Sequence, residues 1–236
     1  MIDIHNHLIN NVDDGSRSFE ESIKVLSDLS SNGITDVILT PHFIPETKYV
    51  SSKIDNIKKM KELQKELKSN NIDINLYIGN EIYIDKNIVD YIKKNKMCSL
   101  NNTEYILVEL PMSGIYPDYQ DIFYSLIDIG FKVVLAHPER YTSFQNSFNR
   151  LYELRDLGVL FQCNIDSILG FYGKEAKKFM KRMLKEKLVS FIGTDIHNAK
   201  DDYSYIEKAK NKFKKYLSDS EIEDLLINNP KKIITK

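Results

Sequence analysis

The chain has 236 residues, 42% of them hydrophobic, and 33 Lys and Arg against 34 Asp and Glu give a formal charge of −1. That length can bury a full core, and the even charge argues against a dedicated nucleic-acid binder, which carries a basic excess. Two cysteines fit a reducing compartment, no apolar run nears the ~20 residues of a membrane span, and MIDIHNH is no secretory signal, so one cytoplasmic domain over residues 1–236 without membrane insertion is expected.

Short apolar runs alternate with longer amphipathic stretches along the whole chain. Met1–His5 reads as the first strand. Ser18–Ser31 follows as a helix, with Ser18 and Glu21 spaced as a capping box and Gly33 as its stop. The spacing then predicts strand Asp36–Thr40, helix Lys53–Lys68, strand Asn75–Gly79 and helix Asn87–Lys94. Strand Tyr105–Leu110, helix Tyr119–Ile129, strand Lys132–Ala136 and helix Asn149–Leu157 come next. Strand Val159–Asn164, helix Lys174–Lys187, strand Leu188–Thr194 and helices Asp202–Lys215 and Ser220–Asn228 complete the order. Strands apolar at nearly every position suit a parallel sheet covered on its faces. A barrel and an open doubly wound sheet both satisfy the pattern.

The polar residues fall at one level of this plan. His5 and His7 follow the first strand, His42 the second, His137 the fifth and His197 the seventh. Glu81 follows the third strand, Glu109 ends the fourth, Asp195 ends the seventh, and Asp13 and Asp14 lie in the first loop. In parallel α/β folds the C-terminal strand ends form one rim, and sites are assembled there. Residues two apart on an extended chain point the same way, so His5 and His7 can share an ion, as can Asp195 and His197. Imidazoles and carboxylates without thiolates suit Mn, Fe or Zn. About nine potential ligands exceed the roughly four to six one ion takes, so two or three divalent ions are expected.

Other chemistries lack their motifs. Neither Cys98 nor Cys163 is followed by a Gly-rich, Arg-terminated phosphate loop. There is no Gly-rich nucleotide loop and no Gly-x-Ser-x-Gly elbow. The basic run Lys174–Lys187 reads as a solvated helix face. Clustered divalent ions supply hydroxide at neutral pH and clamp anionic oxygens, which favours phosphate-ester hydrolysis. Arg140, three residues after His137, is placed for bidentate phosphate contact in a chain where 28 of the 33 basic residues are Lys. Arg17 is a weaker candidate for the same task.

The series Asp3-Ile-His-Asn-His, Val12-Asp-Asp-Gly, Thr40-Pro-His, Gly79-Asn-Glu-Ile-Tyr, His137-Pro-Glu-Arg-Tyr and Gly193-Thr-Asp-Ile-His-Asn resembles the polymerase-and-histidinol-phosphatase superfamily. Within it the sequence is most similar to the manganese-dependent protein-tyrosine phosphatases of bacterial capsule and exopolysaccharide gene clusters. The resemblance implies an α/β fold, a distorted (β/α)7 TIM-like barrel, with a trinuclear metal site in which manganese is favoured over iron or zinc. It implies one ion on His5, His7, Glu81 and Asp195, a second on Glu81, Glu109 and His137, and a third on Asp14, His42 and His197. Arg140 would stabilise the phosphoryl oxygens. The implied substrate is phosphotyrosine on the tail of a bacterial tyrosine kinase that controls polysaccharide synthesis. One position departs from the pattern: family members carry an Arg shortly after Asp-x-His-Asn, and here the segment reads Asn198-Ala-Lys-Asp-Asp-Tyr. Lys200 offers a point charge there without the guanidinium fork. The alternatives are a small-molecule phosphatase of the histidinol-phosphatase type and a non-catalytic metal-binding docking module.

Overall fold

Parallel strands need long crossovers, and each predicted strand is separated from the next by a helix that supplies one. A computed structural model describes residues 1–200 and 202–235, so Asp201, within the departing segment, and Lys236, the end of the expected domain, lie outside the described residues. The strands are β1 (Ile2–Asp3), β2 (Asp36–Leu39), β3 (His42–Phe43), β4 (Asn75–Ile78), β5 (Glu81–Tyr83), β6 (Tyr105–Glu109), β7 (Lys132–Ala136), β8 (Leu160–Asn164) and β9 (Phe191–Gly193). All named pairings are parallel, in the orders β1-β2-β4 and β3-β5-β6-β7-β8-β9.

These segments amount to seven staves, because two staves are broken. β3 resumes β2 after Thr40 and Pro41, and β5 resumes β4 after Gly79 and Asn80. Pro41 has no N–H to give a ladder, and its carbonyl accepts from Glu81 N and the Asn80 amide instead. Gly79 lies so close to Leu100 that an added Cβ would come within 2.7 Å of its Cδ2. The second and third strands therefore do not stop at Thr40 and Gly79 as the sequence suggests; they kink and continue. The barrel closes where Asn6 bridges Ile196 in parallel, with Asp195 N donating to His5 O and His7 N to Ile196 O, both at 2.8 Å.

Alternation sorts the side chains. Ile2, Ile4, Ile38, Tyr105, Leu107, Val134, Ala136 and Phe191 fill the barrel, while Val37, Leu39, Ile106, Val108, Val133, Leu135 and Ile192 pack outward under the helices. Ile233 joins the inner cluster from the C-terminal helix Asn229–Ile234. That helix was not expected. Pro230 stands in its first turn, where a missing N–H is harmless, so helical structure resumes past Asn228 after a π-helical segment at Asp224–Asn228. Ser18 caps helix Phe19–Ser31 as expected. The Glu21 carboxylate does not close the box on Ser18; it accepts from Arg17 N and Ala199 N, tying the first loop to the last. A complete capping box stands at Ser218 and Glu221 instead. Among the described residues no helix is long and apolar enough to cross a membrane.

Candidate metal centre

The upper end of the barrel holds the polar side chains that the sequence placed at the strand ends. His5, His7, Glu81 and His137 are buried, and so are Asp195, His42 and Glu109 with at most 8% exposure. Burying that much charge requires compensation. Three ring nitrogens converge on Glu81 Oε2: His42 Nδ1 at 3.1 Å, and His5 Nε2 and His7 Nε2 at 3.2 Å each. His137 Nε2 takes the other oxygen at 3.0 Å. Asp195 Oδ1 lies 3.4 Å from His5 Nε2 and 3.5 Å from His7 Nε2. Glu109 stands 3.7 Å from His137 Nε2 and 3.9 Å from His42 Nδ1. At the open side, Asp14 Oδ1 is 3.5 Å from His42 Nε2 and 3.6 Å from His197 Nε2.

The donor set fits a cation. His7 Nδ1 donates to Asp13 Oδ2 at 2.8 Å, and His5 Nδ1 donates to Gln162 Oε1 at 2.8 Å. In neutral rings both Nε2 atoms then carry lone pairs. These lone pairs face each other at 3.3 Å and also face the Glu81 and Asp195 oxygens. His42 Nδ1 is buried with no hydrogen-bond partner although Glu81 is close. Ligand atoms ~2.1 Å from one ion sit roughly 3.0 Å apart at octahedral angles and 3.4 Å at tetrahedral ones. The spacings of 3.2–3.5 Å among His5, His7, Glu81 and Asp195 match those between ligands of one ion. His7, Asp14, His42 and His197 form one group whose ligand atoms all lie within 4.8 Å of one another; His5, His7 and Glu81, then His5, His137 and Asp195, then His42, Glu81 and Glu109 form others.

Electrostatics agree with a crowded anionic centre. Burial together with the Glu81 and Asp195 charges pushes the Glu109 carboxyl up to about 9. Burial and the neighbouring His7 hold His42 down to about 4. Burial alone would raise Asp13, but its bond from His7 outweighs that and brings it to about 2. Asp195 and His137 adopt left-handed backbone, with φ of +52° and +31°. Non-glycine residues hold such angles at a cost of about 1 kcal/mol or more, typically where function requires it.

The comparisons with known proteins agree with this arrangement. Residues 1–235 match the family described as capsular polysaccharide synthesis, CpsB/CapC. The chain belongs to that family. CapC of Staphylococcus aureus is 35% identical over 199 residues, 84% of this chain and 77% of its own. The tyrosine-protein phosphatase CpsB of Streptococcus pneumoniae is 30% identical over 246 residues, 99% of this chain and 98% of its own. A solved structure described with YwqE from Bacillus subtilis and CpsB from Streptococcus pneumoniae, unique metal-dependent tyrosine phosphatases, superposes with a TM-score of 0.85 at 29% identity. It covers 94% of this chain and 90% of that one.

In this CpsB/CapC family member, the nine candidate ligands and Arg140 lie on one rim. Arg140 Nη1 donates to Asp195 Oδ2 at 2.6 Å, and its guanidinium lies 4.4 Å from the Tyr172 ring centroid. Its acidic neighbour Glu139 turns away, buried, accepting from Asn164 N and Ser167 Oγ. The left-handed turn at Asp195 departs from extended geometry, yet the two residues still converge as their spacing suggests: His197 Nδ1 stands 3.5 Å from Asp195 Oδ1 while its Nε2 reaches Asp14 at 3.6 Å. Lys200 reaches Asp166 at 3.6 Å and stands over the Tyr205 ring at 4.5 Å. Arg17 is exposed.

Sequence reasoning missed Gln162, Asn164, Tyr172 and Asp166. Gln162 and Asn164 had a legible signal: they alternate as the only polar residues of β8, which turns both to the barrel interior. Tyr172 and Asp166 lie in the irregular segment after β8, where no periodicity marks direction.

Proposed function

We propose that this chain is a metal-dependent protein-tyrosine phosphatase whose substrate is phosphotyrosine on the tail of a bacterial tyrosine kinase controlling capsular or extracellular polysaccharide synthesis. The observation that carries it is the convergence of five imidazoles and four carboxylates on one end of the barrel, in a chain of the CpsB/CapC family. The residues named as ligands are His5, His7, Asp14, His42, Glu81, Glu109, His137, Asp195 and His197, holding two or three ions with manganese preferred. Within one cytoplasmic domain the two cysteines stay buried and free.

Divalent ions at such a site acidify water and neutralise phosphate charge. The protein's own part is geometric. Glu81 lies among four histidines, so its two oxygens can serve neighbouring ions. Arg140 approaches from the solvent side, and Asp195 and Tyr172 hold its planar fork against the rim, where it can bind phosphoryl oxygens. The Asp14, His197 and Arg140 side chains are 50%, 27% and 23% exposed, which marks the side from which a phosphate enters. Exposed Val50, Ile115 and Phe171 lie in the loops after β3, β6 and β8 and offer apolar contacts to an extended tail. A rim open at Asp14, His197 and Arg140 suits a protein segment better than an enclosed small molecule.

The deciding experiment compares substrates with Mn²⁺-loaded protein. Hydrolysis of a phosphotyrosine peptide should exceed that of histidinol phosphate. The reverse order favours the small-molecule reading, and no hydrolysis of either favours the docking module.

A further inference from the structure

We propose that Gln162 and Asn164 are positioning residues that transmit the charge of Asp195 across the barrel through two oriented amides and thereby fix His5 in the tautomer with a free lone pair at Nε2. The purpose of the relay rests on the metal-centre reading above; its geometry does not.

The chain of bonds has one direction. A carboxylate oxygen only accepts, so Asn164 must turn Nδ2 to Asp195 Oδ2, at 2.7 Å. Asn164 Oδ1 is then the acceptor for Gln162 Nε2 at 3.0 Å. Gln162 Oε1 is left to accept from His5 Nδ1 at 2.8 Å. None of these side chains has water as an alternative: His5, Gln162 and Asn164 are 0% exposed and Asp195 6%. Reversing either amide sets acceptor against acceptor and donor against donor, at about 1–3 kcal/mol for each buried group left unpaired. In the neutral ring the proton therefore sits on His5 Nδ1, and Nε2 faces Glu81 and Asp195 with a lone pair.

Two details support a built relay. Gly193 leaves the space it needs, since a Cβ there would come within 2.9 Å of both Gln162 Nε2 and His5 Cβ. The relay is also a closed circuit. Asp195 Oδ2 starts it, and Asp195 Oδ1 lies 3.4 Å from the His5 Nε2 whose lone pair it secures. His7 reaches the same result with a carboxylate in direct contact, Asp13, whereas His5 has its carboxylate two amides away.

The test reads the tautomer and the metal separately in the full-length protein. Imidazole ¹⁵N shifts of the metal-free chain should report protonated Nδ1 for His5. Gln162→Met, which keeps volume and removes both bonds, should shift His5 toward the Nε2–H form and weaken Mn²⁺ binding, titrated as the metal alone, by roughly 10–100-fold. Gln162→Glu keeps an acceptor for His5 Nδ1 but sets its second oxygen against Asn164 Oδ1, so it should retain the tautomer while losing the link to Asp195. The relay is overturned if Gln162→Met leaves tautomer and affinity unchanged, or if Gln162→Glu loses the Nδ1–H form. A parent chain that binds no Mn²⁺ yet loses the tautomer in Gln162→Met sinks the metal reading and upholds the relay.

Discussion

Arg140 and Asp195 meet at 2.6 Å, and the acid's Oδ2 takes a second donor, Asn164, at 2.7 Å. Its other oxygen is thereby left to the histidines. The pair thus joins the group proposed for phosphate to the group proposed for metal.

Arg140→Ala should lower kcat/KM for a phosphotyrosine peptide by roughly 10²–10³-fold, in line with loss of one anion-stabilising donor. Metal content should fall far less, because Asn164 still holds Asp195. Arg140→Lys should be intermediate, with charge but no fork. Steady-state kinetics beside metal analysis by mass spectrometry checks this. Depleted metal with unchanged kinetics per loaded site rules out the phosphate role.

Replacing His5 and His7 together with Ala should abolish phosphatase activity and most metal binding. Far-UV circular dichroism should keep its α/β shape, since the apolar interior formed by Ile2, Ile4, Leu107 and Phe191 lies elsewhere in the barrel. Full activity in the double variant refutes the site assignment.

Gly15 sits against the backbone of His7. An added Cβ would lie 2.0 Å from His7 O and 2.5 Å from His7 Cβ, and neither atom belongs to a flexible chain end. Gly15→Ala should destabilise by about 2–3 kcal/mol, a fall of roughly 5–10 °C in Tm for a domain of this size, and should weaken metal binding by moving Asp13 and Asp14. Gly33→Ala provides the contrast. Gly33 has φ of +81° but open space around it, so only about 1 kcal/mol is at stake and metal binding should not change. Thermal melts with metal titration distinguish the two, and equal metal affinity in Gly15→Ala would argue against this coupling.

The thiols should be inert. Burial pushes the Cys98 pKa up to about 11, with Lys53 pulling weakly the other way, and burial with Glu139 pushes the Cys163 thiol well above its ordinary value. A raised thiol pKa lowers the thiolate fraction at pH 7.5 below that of a free cysteine. Iodoacetamide at that pH should leave activity intact, with labelling rising only as pH nears 11. Rapid inactivation together with stoichiometric labelling would bring cysteine chemistry back into consideration.

Much of the centre was legible because its residues sit at strand ends, where a period of two and an apolar run fix direction. His42 and Glu81 are the partial exception. They are register partners on β3 and β5, yet each stands past a break that sequence patterning reads as a strand's end. Their types and spacing located them, but their pairing depends on Pro41 and Gly79 kinking both staves together. Arg140 was legible as a rim residue, and its partner was not. Asp195 lies 55 residues away, and only closure of the barrel brings it within reach. The C-terminal helix was missed because Pro230 reads as a stop unless the chain restarts around it.

The barrel's seam joins its first and last staves: Asp3 accepts from both the amide and the hydroxyl of Thr194, 191 residues later. His5 and His7 flank one side of that seam and Asp195 the other. The last stave, β9, therefore delivers both the barrel's closure and Asp195, which meets His5 and His7 only once the first and last staves are joined. A chain ending before residue 190 carries most of the side chains of the centre but lacks Asp195, His197 and the seam that sets His5 and His7 against them.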